Sequence, residues 1–400
     1  MNQKILLHDN SGLSFPIQLS RALALNGYDV LHLYSGYFNS PKGELKKRGT
    51  DPENLQIKPI FTKTPFSKYN YFLRWFNENE YGLILANEVL NFQPDIVIAT
   101  NTPLDELRHL QAAARKTNSF FLFWLQDVYS FAISSILTKK YPVFGPFIAK
   151  YYSYIEKHLL QKSNAIVEIT EDFKPLLLDC NISPNKIFTI PNWAPLESIS
   201  IVKKNNSWTI KHHLEGLFVA IYSGTLGLKH NPEILIHAAK YLSKYPDFRL
   251  VVITEGLGAN YIKKFMDENP IENLILMGFQ PFEELPNVLG TADVLLALLE
   301  PEAGEFSVPS KILAYMCAGR PTLLACPAQN QAARIISENK AGIVTKPDDP
   351  DQFAKELENL YLNRNLIEEY GKHARQYSER NFDIKIITDK FERIWQPIQK

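Results

Sequence analysis

The sequence predicts an α/β protein of two doubly wound domains, each with a parallel sheet between layers of helices. Short apolar segments of strand length alternate with amphipathic segments along most of the chain, as is typical of parallel sheets covered on both faces. The alternation pauses between about residues 192 and 214, where the chain is polar, basic and interrupted by proline. A chain of 400 residues, 45% of them hydrophobic, can bury two cores. We therefore predict an N-terminal domain over 1–195 and a C-terminal domain over 196–379.

The N-terminal domain carries a series of short apolar segments. Runs of this length, bounded by turn residues, are typical of buried parallel strands. We predict helices from Ser14 to about Asn26 and over about 103–116, among others. The strands, in order, are KILLHD, YDVLHLY, PDIVIAT, SFFLFWLQD, AIVEIT and KIFTIPN.

The C-terminal domain repeats the pattern, with a helix between successive strands. Ligands of doubly wound domains bind at the carboxyl ends of the strands, and two such domains leave a cleft between them. We therefore expect both sheets to face an interdomain cleft that holds the site. The predicted strands are LFVAIYSG, FRLVVITEG, LILMGF, DVLLALLEP, PTLLAC and AGIVTK.

The composition restricts the class of partner. There are 43 Lys+Arg and 43 Asp+Glu, so no overall positive field attracts nucleic acid and an anion needs a local site. Three cysteines fit a reduced compartment better than a disulfide framework. The sequence shows no signal-peptide core and no uninterrupted apolar window long enough to span a membrane. We expect a cytoplasmic protein.

Two loops of the C-terminal domain suit a phosphate. In YSGTLGLKHNPE, Gly224 and Gly227 permit a close backbone approach, Lys229 adds a charge, and Asn231-Pro232 would start the next helix. An ordinary strand-to-helix turn explains these glycines about equally well. The nucleotide motifs G-x-G-x-x-G and G-x-x-x-x-G-K-[ST] are absent, which disfavours a dehydrogenase or a kinase.

The second loop is part of EFSVPSKILAYMCAGRP, residues 305–321. We predict a helix of about two turns that Ser310 caps and that ends at Gly319, before Pro321. The backbone amides of 306–311 lead into the positive end of this helix, and Lys311 adds a full charge. The two loops together would hold a diphosphate.

A carboxylate precedes this helix. Glu305 shares its loop with Glu300 and Glu302, and each of these acids could simply be solvated. Glu305 is favoured because a carboxylate beside a group of amides can accept hydrogen bonds from sugar hydroxyls while the amides bind phosphate.

Two loops of the N-terminal domain are candidates for the acceptor side. Asn10, Ser11 and Gly12 lie between a strand and a helix, where Gly12 is either a close-approach residue or a plain turn residue. Gln126 and Asp127 end a very apolar strand. Asp127 is placed to orient or deprotonate an acceptor hydroxyl, with helix capping as the alternative role.

Two stretches, 61–76 and 139–154, interleave aromatic residues with Lys and Arg. Such a pattern suits a membrane interface, although packing of rings beneath a Lys-lined surface explains it slightly better. We find no Cys/His cluster with metal spacing and no D-x-D, so we predict no metal site.

The chain resembles glycosyltransferase family 4, whose members are retaining enzymes of the GT-B fold. The order and spacing of several segments carry the likeness, which covers nearly the whole chain. Within the family, the forms W-L-Q-D, S-G-T-L-G and V-P-S-K-x-L-x-Y are most similar to exopolysaccharide and O-antigen transferases. The segments are NGYDVLHLY, PDIVIATN, NKIFTIPNWAPLE, IYSGTLGLKHNPEILIHAA, LILMGFQPFEELPNVLGTADVLLA and residues 305–321.

The resemblance implies a role for each site. The second domain would bind a UDP- or GDP-sugar and the first a glycan or polyprenyl-linked acceptor, with no metal or other cofactor. The final segment, about 380–400, would return to the first domain as a helix. Lys229 and Gly12 would meet the diphosphate, and Asp127 would stand near the reacting sugar. The backbone of Gly278 and Phe279 would contact the base. The donor sugar and phosphate would be bound by Glu305 and by the amides of Phe306, Ser307 and Val308.

The sequence departs from the family at two donor positions. The second Glu, which binds ribose, is replaced at Leu313, with Ala314 beside it, and the usual Arg of the first donor loop is Thr225. Ser310 or Lys311 would have to substitute. Transfer would then proceed by front-face attack as charge develops on the diphosphate. A non-catalytic scaffold of the same fold and a sugar-nucleotide epimerase are the alternatives.

Overall fold

The chain folds into two units, each built on a parallel sheet. The structure, a computed structural model, describes residues 2–37, 43–64, 70–227, 230–301 and 308–396. Residues 1–191 and 384–400 group into the first unit and residues 192–383 into the second.

The first unit holds a seven-stranded sheet with the order β3-β2-β1-β4-β5-β6-β7, in which every neighbouring pair is parallel. The order reverses between β1 and β4, the point where doubly wound sheets bind ligands. The strands are β1 Lys4–Asp9, β2 Asp29–Ser35, β3 Leu55–Ile60, β4 Ile96–Thr100, β5 Phe120–Leu125, β6 Ala165–Glu168 and β7 Ile187–Thr189; the helices are α1 Ser14–Leu25, α2 Tyr71–Phe92, α3 Leu104–Lys116, α4 Tyr129–Lys140, α5 Gly145–Lys162 and α6 Lys174–Asp179.

The second unit holds a six-stranded parallel sheet with the order β10-β9-β8-β11-β12-β13, which reverses between β8 and β11. The two sheets confirm the predicted fold class. The strands are β8 Phe218–Ser223, β9 Phe248–Ile253, β10 Leu274–Met277, β11 Val294–Leu298, β12 Thr322–Ala325 and β13 Gly342–Thr345; the helices are α7 Ser207–Lys211, α8 Glu233–Tyr241, α9 Leu257–Glu268, α10 Leu285–Thr291, α11 Lys311–Cys317, α12 Gln331–Glu338, α13 Pro350–Leu362 and α14 Arg364–Asn381.

The last helix, α15 Ile384–Trp395, packs on the first unit. The Phe391 ring lies 4.9 Å from the buried Trp124 ring of β5, and the Trp395 ring lies edge-on to Tyr28 at 6.4 Å. The rings of Phe391, Trp124 and Trp395 are fully buried and remove a large apolar area from water, so α15 is part of the first core although it follows the second unit in the chain.

The sequence analysis leaves residues 36–95 without elements, but this segment forms β3 and α2. Strand β3 was missed because buried and exposed residues do not alternate regularly along it and because it contains Lys58 and Pro59. An edge strand tolerates such residues, since only one of its sides pairs.

Candidate functional site

The loop after β8 is held in place at the carboxyl edge of the second sheet. Gly224 has φ of +130°, a conformation that favours glycine, and its N–H donates to the Ile253 carbonyl at 3.0 Å. The Thr225 carbonyl accepts from the Tyr222 hydroxyl at 2.8 Å. The loop that the sequence singled out for phosphate is therefore ordered through Thr225 and lies at the point where the strand order reverses.

Helix α11 is tied to the same edge. Lys311 and Tyr315 are one turn apart and therefore share a face of the helix. The Tyr315 hydroxyl accepts from the Ser223 N–H at 3.2 Å and lies 3.2 Å from the Leu296 carbonyl oxygen. These contacts hold α11 against β8 and β11.

The ammonium of Lys311 lies beside Gly224. A Cβ built on Gly224 would stand 3.4 Å from both Cε and Nζ of Lys311. The residue as a whole is partly exposed, but Nζ is buried, 3.7 Å from the Tyr222 ring centroid, and within the described ranges it has no hydrogen-bond partner. Burial lowers the pKa of Lys311 to about 7. The site thus contains a buried lysine whose charged form is disfavoured by burial.

The predicted capping of α11 is half right. Gly319 follows the helix with φ of +63°, as the sequence indicates. Ser310 precedes it but makes no side-chain cap hydrogen bond, because its backbone is already helical at φ −66° and ψ −20°. A capping side chain needs the extended conformation. The hydroxyl of Ser310 therefore takes no part in starting the helix. For α8, the first helical residue is Glu233, one later than predicted, and Asn231 Oδ1 accepts from its N–H at 2.9 Å.

Leu313 and Ala314, the two positions considered for the absent second Glu, differ in burial. Leu313 is 4% exposed and packs into the core, whereas Ala314 is partly exposed. Ala314 is three residues from Lys311 and lies on the same face of α11. It is Ala314, rather than Leu313, that leaves this face without an acid.

The predicted base-binding backbone is already engaged. The Phe279 N–H donates to Glu255 Oε1 at 3.1 Å, and this oxygen lies 3.3 Å from the position of a Cβ on Gly278. Glu255 follows β9 and was not predicted. A base that binds the Phe279 amide must therefore displace the Glu255 carboxylate or share it.

In the first unit, Asp9 organises the loop after β1. Its carboxylate accepts from the N–H groups of Ser11 and Leu13, at 3.2 and 2.5 Å, and from the Asn101 side chain at 3.0 Å. Gly12 lies inside this loop with φ of +68°. Burial is the main cause that raises the pKa of Asp9 to about 7, against these hydrogen bonds, which lower it. Asp9 therefore fixes the backbone at Ser11 and Gly12.

Asn10 points into the interior. It is 2% exposed, and its amide donates to Glu106 Oε2 at 2.8 Å. Burial, with the nearby Glu78 carboxylate, raises the pKa of Glu106 well above its usual range. Arg74 pairs with Glu78 at 2.5 Å. The predicted acceptor-side role of the Asn10 side chain is thus replaced by a bond to a buried acid. An acid at the end of an apolar strand, as Asp9 is in β1, was the available signal for buried acids in this region.

Asp127 lies half-exposed between β5 and α4. It is not the cap of α4: the N–H groups of Tyr129 and Ser130 donate to the two oxygens of Glu156, at 2.9 and 3.1 Å. The alternative role considered for Asp127 therefore belongs to a buried carboxylate of α5, which no local pattern indicated.

Four predicted site residues fall outside the described ranges, namely Lys229, Glu305, Phe306 and Ser307. The structure resumes at Val308, which is partly exposed.

Comparisons with known proteins match part of the chain to a family. Residues 205–377 match the family described as Glycosyl transferases group 1. An uncharacterized glycosyltransferase of Methanocaldococcus jannaschii, MJ1069, is 22% identical over 244 residues, which is 60% of this chain and 60% of that relative.

Two solved structures share the whole architecture. Sucrose-phosphate synthase from Thermosynechococcus elongatus superposes with a TM-score of 0.75 at 12% identity, covering 99% of each chain. HepE of Anabaena, in complex with UDP-glucose, gives a TM-score of 0.68 at 13% identity and covers 100% of each chain.

The two solved structures show that the chain has the two-unit α/β fold called GT-B. The residues that match the Glycosyl transferases group 1 model all lie within the second unit.

Proposed function

We propose that the chain is a family 4 glycosyltransferase that transfers a sugar from a UDP- or GDP-sugar to a hydroxyl of a glycan or polyprenyl-linked acceptor. The observation that carries this proposal is the meeting of the Gly224 loop with Lys311 where the strand order of the second sheet reverses. HepE, of the same fold, is described with UDP-glucose, which supports a nucleotide sugar as the donor.

The chemistry requires stabilisation of the leaving diphosphate. Negative charge grows on this group as the anomeric bond breaks, so a cation held in a site with little water lowers the barrier. Lys229 and Lys311 would supply that charge without a metal. The acceptor hydroxyl would attack from the same face, giving retention, while Asp127 orients it and Glu305 binds the donor sugar.

The resemblance of W-L-Q-D and V-P-S-K-x-L-x-Y to exopolysaccharide transferases supports a place in cell-surface polysaccharide synthesis. Acceptors carried on polyprenyl lipids lie at the inner face of the cytoplasmic membrane. Exposed aromatic side chains on α5 support peripheral contact there. Within the described ranges no helix is both long and apolar enough to cross a membrane.

The proposal is tested by donor turnover. The protein is mixed with a nucleotide sugar and a polyprenyl-linked acceptor in EDTA, and release of nucleoside diphosphate is followed together with the anomeric configuration of the product. We expect acceptor-dependent release with retention. Glu305→Ala should abolish it, and the control Glu268→Ala, at an exposed acid of α9, should not.

Other outcomes separate the alternatives. Release of an epimerised sugar without an acceptor would identify an epimerase. Absence of turnover with every donor would favour the scaffold, for which the loss of the ribose carboxylate at Ala314 is the supporting observation.

A further inference from the structure

The further inference concerns the residues that hold the loop after β8 in place, and it rests on the proposed function. We call residues 224–227, the described part of this loop, the first donor loop. Its two glycines are predicted to approach the diphosphate. The Gly224 N–H donates to the carbonyl of Ile253, the last residue of β9, and the next contacts of the loop come from the segment that follows this strand.

Leu226, inside the first donor loop, is held through both of its backbone polar groups. Its N–H donates to Thr254 Oγ1 at 3.1 Å, and its carbonyl accepts from the Gly258 N–H at 3.1 Å. Its side chain is 1% exposed and belongs to the core of the second unit. Because a buried polar group that loses its partner is costly, Leu226 is fixed in place. Its neighbours Thr225 and Gly227 are therefore restrained as well.

Thr254 and Gly258 suit these contacts for different reasons. Thr254 directly follows β9, is 2% exposed, and donates its own N–H to the Met277 carbonyl at 3.0 Å, so the sheet fixes its position. Gly258 lies in the first turn of α9, where N–H groups have no intrahelical partner, and the Leu226 carbonyl provides one.

The absence of a side chain at Gly258 is also explained by this contact. A Cβ on Gly258 would stand 2.4 Å from the Leu226 carbonyl oxygen, which is too close for atoms that are not bonded. Glycine weakens a helix relative to alanine, so the helix itself does not favour it here. The close approach of α9 to the first donor loop does.

The same segment also reaches the predicted base contact. Glu255, next to Thr254, accepts from the Phe279 N–H at 3.1 Å. Residues 254–258 therefore contact both Leu226, beside the predicted diphosphate contacts, and Phe279. The conformation of this segment relates the positions of the two.

We propose that Thr254 and Gly258 are positioning residues for the donor. They hold Leu226, and through it Thr225 and Gly227, where the diphosphate binds. A loop that is ordered before the ligand arrives loses less conformational entropy on binding, so these contacts raise the affinity for the donor.

Two variants of Thr254 separate its hydrogen bond from its shape. Thr254→Val keeps the volume and loses the acceptor, whereas Thr254→Ser keeps the acceptor. The affinity of the full chain for UDP and for GDP is measured by calorimetric titration in EDTA, well below the melting temperature of each protein. For the nucleotide that the parent protein binds, we expect Thr254→Val to bind about tenfold more weakly and Thr254→Ser to stay within about threefold of the parent.

Gly258→Ala tests the close approach. Without the loop contact, alanine would leave the melting temperature unchanged or raise it, because it favours the helix. We expect instead a loss of affinity similar to that of Thr254→Val. The control is Thr322→Val, at a fully buried threonine that begins β12 and whose hydroxyl has no hydrogen-bond partner among the described residues. This variant should bind as the parent protein does.

The outcomes distinguish this inference from the function beneath it. If Thr254 has only a structural role, Thr254→Val will melt at a lower temperature but bind the nucleotide with the affinity of the parent protein. That result, or a Thr254→Ser protein as weak as Thr254→Val, would overturn the positioning role while leaving donor binding intact. If Gly258→Ala does not fold, the two Thr254 variants decide. Failure of the parent protein to bind UDP or GDP would contradict the proposed function and this inference with it.

Discussion

At the scale of single residues, the site depends on buried groups whose charge is set by their surroundings. Lys311 of the second unit and Asp9 of the first unit both lie near strand ends. Burial lowers the pKa of Lys311 to about 7 and raises the pKa of Asp9 to about 7. In each case the neutral form of the side chain is more favoured in the protein than it would be in water. Residues of this kind cost stability and persist where they serve a site.

Replacement of Lys311 should change the pH dependence of stability. The unfolded chain holds the lysine proton up to about pH 10.5 and the folded chain only to about pH 7, so between these values the unfolded state binds more protons. The free energy of unfolding of the parent protein should therefore rise with pH across this window, by at most about 1.4 kcal/mol per unit.

Lys311→Met should lack that rise and be the more stable protein at pH 6.5. The measurement is the melting temperature of both proteins at pH 6.5, 7.5 and 8.5, from which the difference between them is taken. A difference that stays constant with pH would show that the lysine is charged in the folded state throughout.

Residue-scale chemistry was only partly predictable. Lys311, Gly224 and Gly12 were singled out because charge and glycine near a strand end are visible in sequence. The burial of the Lys311 ammonium is not visible in the sequence, since it depends on Tyr222, a residue 89 positions away in the chain. The engagement of Phe279 by Glu255 depends likewise on a contact between two loops.

At the scale of elements, the start of a helix depends on which groups accept hydrogen bonds from its first N–H groups. Capping by Asp127 was the alternative role considered from the sequence, but the N–H groups at the start of α4 donate to Glu156 of α5. A buried carboxylate that accepts two backbone N–H groups stabilises the helix end because those donors have no intrahelical partner.

Glu156→Ala should loosen the first turn of α4. Removing the acceptor of two buried N–H groups costs about 1–3 kcal/mol. Hydrogen exchange at the Tyr129 and Ser130 amides should accelerate roughly ten- to a hundredfold, since each 1.4 kcal/mol is a factor of ten. As a control, Glu379→Ala removes an exposed acid paired with Arg375 and should leave these amides unchanged. Unaltered exchange in Glu156→Ala would mean that other groups hold this turn.

Strands were predicted where apolar runs are continuous and missed where they are not. β4 and β11 are buried at every residue, so both strands can be predicted directly from the sequence. Strand β3 is polar and at the edge, so its place is set by pairing with β2 rather than by its own pattern.

At the scale of the whole molecule, the aromatic surface of α5 bears on the proposed contact with a membrane. Phe144, Phe147, Tyr151 and Tyr154 follow helical spacing on one face, and Phe144 and Phe147 are 71% and 73% exposed. The packing alternative for stretch 139–154 does not explain rings this exposed. The stretch 61–76 lies partly outside the described residues.

If this face meets a membrane, the protein should sediment with vesicles that contain anionic lipid and be released by high salt. Phe147→Glu should reduce the bound fraction severalfold because it puts a charge into the apolar face. Leu362→Glu, at a similarly exposed apolar residue of the second unit, should not. Equal binding of all three proteins would exclude α5 as the contact.

The central claim, that the second unit binds a nucleotide-sugar donor without metal, is tested most directly by thermal stabilisation. The full chain in EDTA is heated with a panel of UDP- and GDP-sugars and the free nucleoside diphosphates. We predict a rise of several degrees with one nucleotide sugar and its diphosphate, because a ligand that binds only the folded state stabilises it. An unchanged melting temperature with every member of the panel would contradict the account.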